Sequence, residues 1–139
     1  MDTSALFHLL NQKVRLLSKE LNEHLQKHDL YTSQWTILYV LSQKGPMSQT
    51  DIWQYLKVEA PTMTRTLARM ETSGWIHRKP GKDKRERIVV LTEEAKEKLP
   101  DVMKTIKQFE QQFVAHISNS EQDQLYHLLE KLGTKRSDE

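Results

Sequence analysis

Cysteine is absent from this 139-residue chain. Its absence excludes disulfides, thiolate metal sites and thiol-based redox sensing. No apolar run approaches the length needed to span a bilayer, so no membrane partner is expected. The N-terminal stretch MDTSALFHLLNQ lacks the basic region and long apolar core of a signal peptide, and the expected location is cytoplasmic. No glycine-rich phosphate loop occurs, and no nucleophile, base and orienting group fall into a recognisable set. An enzyme is therefore not expected, and neither catalytic residues nor a cofactor are assigned. Apolar residues are sparse at 37%, below the usual share for a soluble domain. A monomer with a core is compatible with that figure. A long helical subunit that buries apolar seams against a partner fits at least as well.

Neither sign of charge is in large excess, the formal net charge being +2. Its distribution is more informative. Between Lys57 and Val90 nine Lys or Arg stand against four acids, a net of +5, whereas the rest of the chain carries twelve bases and fifteen acids, a net of −3. A basic middle between acidic arms is the asymmetry that a local nucleic-acid footprint produces. A solvated loop beside a solvated helix would produce it too.

The apolar pattern predicts six helices and one hairpin. Leu6, Leu10, Val14, Leu17, Leu21 and Leu25 recur at helical spacing and predict a first helix from about Thr3 to Lys27. A second helix follows Leu30, capped by Thr32 or Ser33, and ends at Gly45-Pro46. Ser48 caps a short third helix, with Asp51 at the capping-box position. Pro61 suits the first turn of a fourth helix running from about Ala60 to Ser73, with Met63, Leu67 and Met70 on one face and Gly74 as its stop. Trp75 to Arg78 and Arg87 to Leu91 read as strands around a charged turn from Pro80 to Arg85. Thr92 caps a fifth helix whose apolar stripe continues to about His116, with Pro100 predicting a kink near its start. Ser120, with Asp123, caps the last helix, and the polar tail after Gly133 reads as frayed.

The fold class is therefore mostly α with a small β-hairpin wing: a winged helix-turn-helix with long N- and C-terminal dimerisation helices. Residues 1–30 form the N-terminal dimerisation helix, 31–91 the winged DNA-binding region and 92–139 the C-terminal dimerisation helices, all one intertwined subunit. Leu6, Leu10, Phe113, Ile117, Leu125, Leu128 and Leu132 are the expected dimer residues.

If Met63, Leu67 and Met70 face the core, helical geometry points Thr62, Arg65, Ala68 and Arg69 outward, with Thr64 at one flank. Arg offers paired donors to guanine, and Thr offers a hydroxyl to a phosphate or base edge and a methyl to thymine. Ordinary surface residues would look the same. Ser48, Gln49 and Thr50, at the start of the third helix, are a candidate phosphate anchor, with simple capping by Ser48 as the plain alternative. The hairpin carries Asp83, Lys84, Arg85 and Arg87. An extended guanidinium on a slender loop suits a minor groove, and Asp83 reads as a clamp that orients Arg85 within the turn.

The stretch P-T-M-T-R-T-L-A-R-M-E-T-S-G-W-I-H-R from Pro61 to Arg78, followed by D-K-R-E-R-I-V-V-L-T-E-E-A from Asp83 to Ala95, resembles the MarR family of winged-helix transcription regulators. The resemblance spans nearly the whole chain. It implies a homodimer held by the first and last two helices, recognition helices in successive major grooves, and a pseudo-palindromic double-stranded operator. It also implies that Asp83 and Arg85 match the family's wing pair and that Thr62, Thr64, Arg65 and Arg69 match its recognition surface. Pro61 and Trp75 depart from the usual pattern. The expected output is repression, released by a small aromatic or phenolic effector in a crevice that Leu9, Lys13, Trp35, Tyr39 and Trp53 are placed to approach. Aromatics at helical spacing also read as plain core. No metal is assigned. His24 and His28, four apart and sharing a face with Glu20, have chelating spacing, but two histidines do not make a tetrahedral site. The competing function is a protein-binding winged-helix module without specific DNA recognition. RNA is disfavoured because its A-form major groove does not admit a helix.

Overall fold

The computed structural model describes residues 1–133 and divides into two compact units, Met1–Ile106 and Lys107–Glu139. The polar tail after Gly133 lies outside the described residues. The first unit runs α1 (Thr3–Leu25), a 3-10 turn (Gln26–His28), α2 (Thr32–Lys44), β1 (Met47–Ser48), α3 (Gln49–Leu56), α4 (Ala60–Thr72), β2 (Ile76–Pro80), β3 (Arg87–Leu91) and the first part of α5 (Glu93–Phe113). The second holds the end of α5 and α6 (Asn119–Lys131). No helix among the described residues is long and apolar enough to cross a membrane.

Asp2 caps α1 by accepting the Ser4 N–H at 3.0 Å. Of the leucine stripe only Leu21 and Leu25 are buried. Leu6, Leu9, Val14, Leu16 and Leu17 remain exposed. The helix stops before the predicted Lys27 because the chain tightens into the 3-10 turn and Asp29 adopts a left-handed conformation, φ 54°. Asn22 then fixes the start of α2: its Oδ1 accepts from the Thr32 N–H at 2.7 Å and from the Thr32 hydroxyl at 2.8 Å. Thr32 is therefore tied to α1 and does not cap α2. Tyr31 occupies the N-cap position, with its own N–H held by Gln34 Oε1 at 3.0 Å.

The core gathers Ile37 and Leu38 of α2, Ile52 of α3, Leu67 and Met70 of α4, Ile76 and Val89 of the sheet and Val102 of α5, all fully buried. Each such side chain contributes about 1.5–3 kcal/mol of transfer free energy. The sheet has three strands, not the expected two, in the order β1-β3-β2 and antiparallel throughout. Val89 faces Met47 on one side and Arg78 on the other. β1 escapes a sequence reading because two residues carry no periodicity. Ser48 is at once the last residue of β1 and the cap of α3, where its Oγ accepts the Asp51 N–H at 3.0 Å.

α4 closes with a two-bond left-handed stop. The Gly74 N–H reaches the Glu71 carbonyl at 3.2 Å and the Trp75 N–H reaches the Met70 carbonyl at 2.9 Å, the pattern of a Schellman motif. Gly74 has φ +89°, and a Cβ there would stand 3.0 Å from Glu94 Oε2. Thr92 joins this turn to α5: its hydroxyl donates to the Gly74 carbonyl at 2.6 Å and accepts the Ala95 N–H at 3.0 Å. α5 runs on through Pro100. In the second unit α6 is capped by Ser118, not by Ser120. The Ser118 Oγ accepts the Glu121 N–H at 3.1 Å, and Glu121 Oε1 accepts the Ser118 N–H at 2.9 Å. Ser118-x-x-Glu121 and Ser120-x-x-Asp123 carry the same signature two residues apart, and the longer glutamate side chain closes the reciprocal bond.

Candidate nucleic-acid interface

α3 and α4 meet through a tight link in which Lys57 takes a left-handed conformation, φ 60°. Glu59 is the N-cap of α4 and Pro61 lies in its first turn, where a missing N–H costs nothing. Met63, Leu67 and Met70 are buried, while Thr62, Thr64, Arg65, Ala68 and Arg69 are exposed. The five outward side chains expected from helical geometry thus share the solvent side of one helix. Arg65 Nη2 lies 3.4 Å from the Thr62 hydroxyl, so the guanidinium is folded back along the helix toward its N-terminus. The Thr64 hydroxyl donates to the Ala60 carbonyl at 2.9 Å.

β2 and β3 project the wing. Its tip is closed by main-chain bonds from the Gly81 N–H to the Glu86 carbonyl at 3.0 Å and from the Glu86 N–H to the Asp83 carbonyl at 2.9 Å. At Gly81 a Cβ would lie 2.9 Å from the Glu86 side chain, which would have to swing aside to admit it. Asp83 meets Arg85 through the backbone: Asp83 Oδ1 accepts the Arg85 N–H at 3.1 Å. The Arg85 guanidinium takes no part in that bond. Asp83, Lys84, Arg85 and Arg87 are all exposed.

At the start of α3, Ser48 is 7% exposed and engaged as a cap, which favours the plain reading of that residue. Thr50 is exposed and Gln49 half-buried. Gln49 belongs to a network that the sequence did not reveal. Arg78 of β2 donates from Nη1 to Gln49 Oε1 at 3.0 Å and from Nη2 to Glu71 Oε1 at 3.0 Å, while its main-chain N–H donates to Glu71 Oε2 at 3.0 Å. The Arg78 side chain is 23% exposed. Bonding to the Arg78 side chain is the main cause that holds the Glu71 carboxyl below its ordinary range, with desolvation opposing and the Arg78 main chain and nearby Arg87 assisting. Nothing in spacing links Gln49, Glu71 and Arg78. The only visible signal was the basic excess of the whole segment.

The effector-crevice residues come together in part. Trp35 and Tyr39 stack at 5.9 Å between ring centroids, 11° from parallel. Leu9, Lys13 and Tyr39 are exposed and Trp53 is half-buried. A cavity of about 330 Å³ in the first unit has none of these in its lining; Lys27, His28, Asp29, Trp75, Lys98 and Asp101 border it. The His24–His28 chelating pair does not form, because α1 ends at Leu25. The His24 ring meets the Glu20 carbonyl at 2.9 Å, whereas His28 Nε2 meets the Thr105 hydroxyl at 2.8 Å. No group of three or more His, Asp or Glu among the described residues is placed to hold a metal ion. Burial, reinforced by Lys27 and opposed by Asp101, lowers the His28 pKa. Of the expected dimer residues, Leu6, Leu125, Leu128 and Leu132 are exposed in the isolated chain, and Leu10, Phe113 and Ile117 are half-buried.

A model of the MarR family matches residues 30–86. YwoH of Bacillus subtilis, described as an uncharacterized HTH-type transcriptional regulator, is 46% identical over 123 residues, covering 88% of this chain and 90% of the relative. The homoprotocatechuate degradative operon repressor of Escherichia coli is 29% identical over 119 residues, 83% of this chain and 80% of that protein. Among solved structures, a cysteine-to-serine mutant of MarR from E. coli complexed with operator DNA superposes with a TM-score of 0.81 at 26% identity, covering 94% of this chain and 93% of that one.

Proposed function

The chain belongs to the MarR family of winged helix-turn-helix transcriptional regulators, and from that premise we propose that it is a dimeric repressor that binds a pseudo-palindromic DNA operator and leaves it when a small aromatic or phenolic effector binds. The observation that carries DNA recognition is the joint exposure of two basic elements on the first unit. α4 buries Met63, Leu67 and Met70 and turns Thr62, Thr64, Arg65 and Arg69 to solvent, and the adjoining wing holds Arg85 on a turn whose bonds do not use its guanidinium. One element has the width and donors for a major groove and the other the reach for a minor groove. The similar repressor of E. coli, named for an aromatic degradation operon, supports both the negative output and the effector class. The stacked Trp35–Tyr39 pair offers aromatic surface to such a ligand.

Dimerisation has its own support. Leu6, Leu9, Val14 and Leu17 on α1, and separately Leu125, Leu128 and Leu129 on α6 with Leu132 at its C-cap, are exposed apolar side chains. Rows of this kind mark protein interfaces in soluble chains. Residues 1–30 and 92–139 then supply the dimer and 31–91 the DNA-binding region. The protein acts by binding, without catalysis, and its place of work is the cytoplasm.

The deciding experiment is selection of bound sequences from a random duplex pool by the purified protein. The expected result is a palindrome with half-sites about one helical turn apart. Binding that recovers no sequence preference would overturn the reading. It would favour a module that recognises protein.

A further inference from the structure

We propose that Arg78 is a positioning residue for the DNA-facing end of α3: its guanidinium captures the carbonyl end of Gln49 and so turns the Gln49 amide outward as a phosphate donor. The inference rests on the DNA-binding reading above and adds a role for a residue that does not itself reach DNA. A guanidinium has donors and no acceptors. The Gln49 atom that meets Arg78 Nη1 at 3.0 Å must therefore be the oxygen, which removes the usual ambiguity of a glutamine flip. The amide nitrogen is the end left over, and no hydrogen bond within the described residues engages it. Gln49 is the first residue of α3. Its side-chain donors thus emerge beside the unsatisfied N–H groups of the first helical turn, where a phosphate oxygen is favoured.

Arg78 is itself fixed. Glu71 takes both its Nη2 and its main-chain N–H, each at 3.0 Å. The bonds join three elements: the recognition helix α4 through Glu71, the wing strand β2 through Arg78, and α3 through Gln49. A single planar fork makes the bonds to Gln49 Oε1 and Glu71 Oε1 at once. A lysine ammonium at the same place is a point donor and cannot reproduce that geometry. With most of its side chain covered and one donor of each Nη group bonded to Gln49 or Glu71, Arg78 has little free surface to offer a phosphate.

The test uses the full-length protein and a fluorescent duplex recovered by the random-pool selection. Failure of that selection would count against DNA recognition as such, and the steps below count only against the role of Arg78. Gln49→Met is expected to weaken binding by roughly 100-fold, the worth of one hydrogen bond to a charged group in each of the two subunits. The slope of log affinity against log salt should stay unchanged, because a neutral amide releases no counterion. Arg78→Met should cost at least as much, and the double variant should be no weaker than Arg78→Met alone. Thermal melts of each protein establish that the fold is kept. If Arg78→Met does not fold, the same cycle run with Arg78→Lys decides the matter, again by whether the Gln49→Met loss disappears. Additive losses, or a salt slope reduced by about one unit per subunit in the Arg78 variant, would show that Arg78 contacts phosphate itself and overturn the proposal.

Discussion

Replacing Arg85 with Ala separates binding from folding more cleanly than any other change in the wing. The turn depends on Asp83 Oδ1 accepting the Arg85 N–H at 3.1 Å, and that bond belongs to the main chain. Alanine keeps it. No ion pair within the described residues uses the Arg85 guanidinium, and the residue is exposed. The stability change should therefore stay within about 0.5 kcal/mol. Binding should respond very differently. An arginine contact to DNA is worth about 1–3 kcal/mol, and a dimer loses two of them. At about 1.4 kcal/mol per tenfold, the smallest expected loss is roughly 30-fold. Each lost phosphate-neutralising cation also lowers the salt slope by about 0.9, so the dimer slope should fall by about 1.8. Fluorescence anisotropy with the selected operator at several salt concentrations reads both quantities, and urea unfolding reads the first. Arg85→Lys should keep the slope while losing part of the affinity, because an ammonium keeps the charge without the fork. An affinity change of less than about threefold for Arg85→Ala, with the slope intact, refutes a groove-entering wing.

Other substitutions probe the remaining elements. Asp83→Ala removes the bond to the Arg85 N–H and should weaken operator binding less than Arg85→Ala, by about tenfold or under in the same assay. Leu125→Glu combined with Leu128→Glu places charge among the exposed leucines of α6 and should give a monomer by light scattering at micromolar concentration; an intact dimer would remove α6 from the interface. Gly74→Ala forces a Cβ into a left-handed turn with Glu94 Oε2 at 3.0 Å and should cost about 1–2 kcal/mol in urea unfolding. Burial lowers the His28 pKa below the ordinary 6.5. The unfolded chain therefore takes up the proton first as pH falls. Stability from this group is complete above about pH 6.5 and is lost as pH falls toward the lowered folded value. His28→Gln should flatten that part of a melting-temperature profile against pH; an unchanged slope would assign the loss to other groups.

The recognition helix was legible because its signals are local: Pro61 in the first turn, Met63, Leu67 and Met70 at helical spacing, and Gly74 at the stop. The wing strand β3 was legible for the same reason, as a short β-branched run with charged neighbours. What was missed depends on tertiary pairing. β1 is a strand only because Met47 and Ser48 lie against Val89 and Ile88. Thr32 cannot cap α2 because Asn22, ten residues earlier, has already taken its N–H and hydroxyl. His28 left the line of His24 because α1 ends at Leu25 and the chain tightens into the 3-10 turn over Gln26–His28, which breaks the helical phase. The partnership of Arg78 with Gln49, 29 residues away, has no periodic trace at all. The apolar rows of α1 and α6 were legible as stripes, but an apolar row left in solvent reads the same in the sequence as one buried in a core.

The double duty of Ser48 constrains how such a protein can change over generations. One residue ends the edge strand of the wing sheet and begins α3. An insertion or deletion in β1 or β3 would shift that register by one place, turn Val89 out of the core and unseat the first turn of α3 in a single event. The six-residue tip between Pro80 and Arg87 is under no such constraint, because its length changes nothing behind it. Drift in operator preference through this element should therefore accumulate as length and charge variation at the wing tip, with the strands behind it holding a fixed count.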